Sequence, residues 1–252
     1  MKPFRIGVTA LSIVVVQTLT CGVALSPSVF IWSAVMRGAS PDSTPRTLVA
    51  ALFLVPCYVL FALCLMPISA AMTRLIGART KPGLELRISD MSWPLMQWVH
   101  YMAASHIVRL VSGTLFRASP IWTAYLRMNG ARIGRRVFIN TLSIADHNLL
   151  ELGDDVVIGA DVHISGHTIE RGLLKTARVR VGSDVTIGLG SVIDIDVEIG
   201  PRCQLGALTL VPKHTKLDGY AMYVGIPVRR VSPEMTLPPS VQPSRVSHQE
   251  GQ

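Results

Sequence analysis

Residues 181–205 read VGSDVTIGLGSVIDIDVEIGPRCQL, and in them an aliphatic side chain returns at every sixth position: Val181, Ile187, Ile193, Ile199 and Leu205. Working outward, the same position is filled downstream by Val211 and Leu217. Upstream, beyond two interruptions, it is filled by Ile164, Ile158, Leu152, Ile139 and Ile133. Gly182, Gly188, Gly200 and Gly206 follow the aliphatic directly, and a compact side chain stands four places after it at Val185, Ser191, Val197, Cys203 and Thr209. A period of six suits neither the 3.6-residue helix nor a lone hairpin. It suits a solenoid in which each short strand recurs one coil later and the aliphatics stack. The small residue lets the backbone turn a tight corner.

The expected fold is therefore mainly β, a parallel β-helix over residues 131–230. Its two interruptions are the places to look for chemistry, because a segment that leaves a regular solenoid can cover a pocket on the neighbouring coils. The first is ADHNLLE, residues 145–151, where one extra residue restores the register. The second runs from Ser165 to Arg180, where about a dozen residues leave the pattern after Ile164, Ser165, Gly166 and His167.

The rest of the 252-residue chain is of another kind. Hydrophobic residues make up 49% of the whole, more than a β-helix of this length requires, and they gather near the start. Residues 6–36 hold no charge between Arg5 and Arg37, and residues 47–73 form a second uncharged run. At about 1.5 Å per helical residue either run exceeds the roughly 30 Å of bilayer hydrocarbon. Residues 1–73 are read as a two-helix transmembrane hairpin, with Pro27, Pro56 and Pro67 as tolerated kinks. A cleaved signal peptide is the rival, but its apolar core would be unusually long and a second span follows at once.

Net charge is +8 and unevenly placed. Residues 74–136 are strongly basic, whereas residues 137–227 are net acidic. Basic charge beside apolar spans suits anionic headgroups, and no nucleic-acid reading motif accompanies it, so nucleic acid is not expected as a partner. Lys2, Arg5, Arg74, Arg79, Lys81 and Arg87 flank the hairpin on one side, against Arg37 and Arg46 in its connecting loop. Positive residues mark the cytoplasmic side. The chain is thus expected in the inner (cytoplasmic) membrane, with the β-helix facing the cytoplasm.

Residues 74–130 read as a basic linker followed by interfacial helices. Trp93 to Phe116 is apolar, but His100, His106 and Arg109 interrupt it, and Trp93, Trp98, Tyr101, Trp122 and Tyr125 suit a headgroup zone. Residues 231–252, rich in Pro, Ser and Gln, read as a disordered tail. Cys21, Cys57, Cys64 and Cys203 make no metal-like pair, so no metal site is expected.

The run HISGHT at 163–168, a loop, then VRVG at 179–182 and a close in YVGIPVRR at 223–230 resembles the hexapeptide-repeat acyltransferases, in particular the maltose and galactoside O-acetyltransferases. That resemblance implies a left-handed coil, a homotrimer with sites between subunits, and His167 as general base. It also brings Asp146 and His147, with Asn140, into the acceptor site. Gly206, Ala207, Lys213, Gly225, Pro227 and Arg229 fall to the thioester donor. No permanently bound cofactor is implied; acetyl-CoA or a phosphopantetheine thioester would be a substrate. An imidazole titrating near pH 6.5 suits the task of taking and returning a proton.

The hairpin and the junction LRMNGARIG at 126–134 are similar instead to the C-terminal units of polylysine-synthetase-like nonribosomal peptide synthetases. That similarity implies an aminoacyl donor on a carrier-protein partner. A non-catalytic membrane scaffold is the reading from outside the enzyme class.

Overall fold

A computed structural model of the chain describes residues 2–38 and 43–231. The expected tail, 232–252, lies outside the described residues, as does the tip of the expected loop between the first two helices. Those helices are α1 (Lys2–Gly38) and α2 (Ser43–Leu75). They lie against each other, with the buried Ser28 hydroxyl donating to the Cys57 carbonyl at 2.8 Å. Both are long and apolar enough to cross a membrane. Their outward sides leave Leu11, Val14, Phe30, Leu52 and Leu54 uncovered by protein.

The linker beyond α2 contributes one short strand, Glu85–Arg87. Next comes α3 (Trp93–Val108), which passes through a π turn at Arg109–Gly113 into the single turn α4 (Thr114–Phe116). The last helix, α5 (Pro120–Met128), starts where Ser119 caps the Trp122 amide and Pro120 occupies the first helical position.

Three of the aromatics expected among headgroups are inside the protein. Tyr101, Trp122 and Tyr125 are all at most 1% exposed. Trp122 and Tyr125 close the solenoid, while Tyr101 packs on the His147 turn. The first coil would otherwise present its aliphatic row and unpaired strand edges to water. Instead Trp122 stacks on Tyr125 and its indole N–H donates to the Thr141 carbonyl at 3.1 Å. Trp93, by contrast, stays exposed.

The coils form a three-sided parallel prism. One side aligns Ile139, Ile158, Ile187, Leu205 and Tyr223 in register; a second aligns Ile133, Leu152, Val181, Ile199 and Leu217. The third aligns Ile144, Ile164, Ile193 and Val211. Most of these side chains, with Val156, Val162, Val185, Val197 and Cys203 between them, form one core with Trp122 and Leu126 of α5. At the corner after Ile187 the backbone of the next coil comes so near that a Cβ on Gly188 would lie 2.5 Å from the Ala207 nitrogen. Asp155, Asp184 and Asp196 supply left-handed turns with φ near +55°, a conformation that Asp tolerates better than most side chains.

The first interruption becomes a left-handed Asp146 followed by a 3-10 turn, His147–Leu149. The second becomes an antiparallel hairpin of His167–Glu170 with Leu173–Thr176. Glu85–Arg87 of the linker adds itself to that hairpin as a third strand. At the far end of the prism Arg229–Arg230 folds back antiparallel on Met222–Val224.

Candidate active site

Gly166 explains why a glycine precedes His167. A Cβ there would lie 2.8 Å from the Asp146 Cβ and about as close to Leu149, so only a bare backbone lets the two interruptions meet. Across that contact Asp146 Oδ2 and His167 Nδ1 stand 2.5 Å apart. Two more donors complete the carboxylate. Thr80 Oγ1 and Trp98 Nε1 each donate to Asp146 Oδ1, at 2.8 and 3.1 Å.

The Asp146 side chain is 0% exposed and that of His167 is 22% exposed. A buried carboxylate with three partners is satisfied and fixed. It accepts from the His167 Nδ1–H and so assigns the tautomer in which Nε2 is the basic nitrogen. The Trp98 ring meets the imidazole edge-on at 5.0 Å, limiting its rotation. His167 lines an open groove of about 360 Å³ with His163, Ser165, Thr168, Val192 and Asp194. Burial and the neighbouring His167 hold the His163 imidazole below its ordinary pKa. Ser165 Oγ donates to the His167 carbonyl at 2.6 Å, so that hydroxyl is occupied with backbone.

Several expected site residues stand elsewhere. Asp146 does not face an acceptor, because its oxygens are used on His167, Thr80 and Trp98. His147 points away from the groove into a separate cavity. It is buried between Tyr101 and Tyr125, at centroid distances of 5.9 and 5.6 Å. Burial pushes its pKa down to about 4. Asn140 spends its backbone N–H on the Ile158 carbonyl and is not part of the groove wall.

Of the donor set, Gly206 and Ala207 form one corner, and Gly225 to Pro227 form the corresponding corner one coil later. Gly225 has φ +98°. Lys213 is ion-paired with Glu170 of the hairpin that begins at His167, and Arg229 is an exposed residue of the closing strand. None of the six lines the His167 groove.

Thr80 and Trp98 are the members that the sequence reading missed. Trp98 and Tyr101 share one side of α3, where both touch the first interruption, a helical i, i+3 pairing that a headgroup reading passes over.

No family model matches the chain. Over 118 residues, 44% of this chain, it is 30% identical to the galactoside O-acetyltransferase of Escherichia coli (strain K12), and covers 56% of that protein. Over 111 residues, also 44% of this chain, it is 29% identical to the delta-poly-L-ornithine synthetase of Acinetobacter baumannii (strain AB307-0294), and covers 8% of it. Over part of its length the chain is thus similar to hexapeptide-repeat acyltransferases.

A hexapeptide-repeat acetyltransferase from Vibrio cholerae, solved with acetyl-CoA, aligns at a TM-score of 0.37 with 24% identity, over 41% of this chain and 60% of that one. The chain thus spans roughly half or less of the curated relatives it matches.

Proposed function

We propose that the chain is a membrane-anchored acyltransferase that moves an acyl or aminoacyl group from a thioester to a hydroxyl or amine. The observation that carries this is the buried Asp146 holding His167 Nδ1, which turns the basic nitrogen of an otherwise mobile imidazole into a fixed proton acceptor. As the acceptor oxygen or nitrogen attacks the thioester carbonyl, His167 Nε2 takes its proton. A carbon–oxygen or carbon–nitrogen bond forms, the carbon–sulfur bond breaks, and the proton passes to the departing thiolate. Asp146 stabilises the imidazolium in between. Thr80 and Trp98 position Asp146.

The donor is CoA or the pantetheine arm of a carrier protein, since the reacting end is common to both. The relation to an ornithine-polymer synthetase favours a second reading within the same chemistry, amide formation on an aminoacyl thioester. The solenoid winds left-handed, assembles as a trimer and lies on the cytoplasmic side. Residues 1–73 anchor it in the bilayer, residues 74–130 lie along the membrane surface and beneath the first coil, and residues 131–230 form the transferase domain. The donor runs along the corners at Gly206–Ala207 and Gly225–Pro227, with Lys213 and Arg229 beside them. A scaffold without chemistry is disfavoured by His167 lying open to a groove, with the hairpin paired to the linker and not folded over it.

The test is thiol release from acetyl-CoA and from aminoacyl carrier protein, in detergent, over a panel of hydroxyl and amine acceptors. Wild type should release thiol only with an acceptor present. Asp146→Asn should lower kcat at least about tenfold, a loss of 1.4 kcal/mol of transition-state stabilisation, with little change in the donor KM. Folded wild type that consumes neither donor would turn the assignment toward the scaffold.

A further inference from the structure

The turn at Asp146–His147 faces two ways. Asp146 reaches His167 in the groove. His147, the next residue, reaches into a cavity of about 280 Å³ whose other walls include Ser105, His106, Arg109, Leu142 and Ala145. Its Nδ1 is buried with no hydrogen-bond partner.

Arg109 enters the same cavity. Its guanidinium Nη2 lies 2.9 Å from His106 Nδ1, and among the described residues no carboxylate pairs with it. Asp146, the acid of the neighbouring turn, is committed on its far side. The backbone is also unusual at this point. The π turn that begins at Arg109 is a rare form that concentrates at functional sites. Gly113 at its end lets Leu142 approach; a Cβ there would sit 3.1 Å from that side chain.

The cavity adjoins the groove. Ile144 pairs with Ile164, and the Ala145 N–H donates to the Ile164 carbonyl at 2.9 Å. The cavity wall is therefore one strand spacing, about 4.8 Å, from the coil that carries His163 and Ser165.

We propose that this cavity is an anion subsite for the acyl acceptor. Arg109, assisted by His106 and His147, receives a carboxylate or phosphate group of the acceptor while its hydroxyl or amine lies against His167. The proposal rests on the acyl-transfer reading. A guanidinium offers paired donors that match either oxyanion. The small volume, just under the roughly 300 Å³ at which whole-ligand pockets begin, suits one functional group of a larger molecule. The neutral His147 imidazole contributes a hydrogen bond without adding charge.

The test uses the full chain in detergent. Calorimetric titration with inorganic phosphate, and separately with acetate, should show one of them binding. Arg109→Gln should weaken that binding by about tenfold to a hundredfold, the range for a charged hydrogen bond. Arg109→Lys should restore part of it, and the preferred anion names the group. With acceptors matched in pairs, anionic against neutral, Arg109→Gln should lower the anionic-to-neutral ratio of kcat/KM by a similar factor.

The subsite is wrong if wild type binds neither anion, if Arg109→Gln binds as well as wild type, or if the variant changes only the KM of the thioester donor. If no acceptor reacts at all, the acyl-transfer reading fails, while the anion titration still decides the subsite.

Discussion

Two faces of the same prism are built from the same coils and behave differently. On one, Arg132, Glu151, Arg180, Glu198 and Lys216 stand opposite one another in consecutive coils. Unlike charges alternate there, and Glu151 meets Arg132, Arg178 and Arg180. On the other, the outward positions hold His163, Val192 and Leu210, flanked by the His167 groove and the Arg109 cavity. The inward rows are equally apolar on both, so packing does not account for the contrast. A periodic face settles its polar groups with its own neighbours. The face beside the interruptions draws its partners from the linker and α3, far away in sequence.

The sharpest way to break this contrast is His167→Ala, which should lower acceptor-dependent thiol release by about 100-fold to 10⁴-fold. Glu151→Gln in the same assay should react nearly as wild type. A loss from Glu151→Gln equal to that from His167→Ala would remove the distinction between the faces.

Next comes a change that serves both faces alike. Ile187 is fully buried in the aliphatic row. Ile187→Ala should cost about 2–5 kcal/mol in denaturant unfolding, with the activity of the remaining folded protein preserved. Selective loss of activity would mean that the coils tune the site as well as carry it.

Acid should act on the site face first. His147, with a folded pKa of about 4, and His163, also lowered, take up protons more readily when unfolded. Stability is then complete above about pH 6.5 and falls as pH drops from there toward 4, by on the order of 3 kcal/mol for His147. Unfolding midpoints between pH 7 and pH 4 measure this, and His147→Gln should flatten the slope. An unchanged slope would mean that His147 is not held neutral by its surroundings.

The smallest effect belongs to the charged face. Glu151 is half-buried but its arginine partners reach water, so Glu151→Gln should shift unfolding by only about 1 kcal/mol, and by less in high salt.

The coils were legible because their cause is periodic: each aliphatic has an identical neighbour one coil away, so the spacing alone reports the contact. His167 was singled out by its resemblance and its place at an interruption. The reason for its glycine neighbour was not, since Gly166 answers to the Asp146 Cβ, a contact that no spacing announces. Asp146 was found with the wrong orientation, because a one-residue slip in a broken register decides which cavity a side chain enters. Tyr101, Trp122 and Tyr125 were misread because aromatics that cap a solenoid and aromatics that sit among headgroups have the same composition. Only the neighbour distinguishes them. Thr80 carried no signal at all.

The strand Glu85–Arg87, lying beside the hairpin that begins at His167, bears on the order in which the site comes together. Residues near Thr80 and Trp98 leave the ribosome before the coils they complete, and the hairpin that receives them is finished only after Thr176. A solenoid excised at Gly130 would lose its aromatic cap together with the donors that steady Asp146 and the strand that pins the hairpin. The site can therefore be completed only once Thr176 has been made. Cutting the linker between α2 and α3 after folding should leave the coils intact and erode their reactivity.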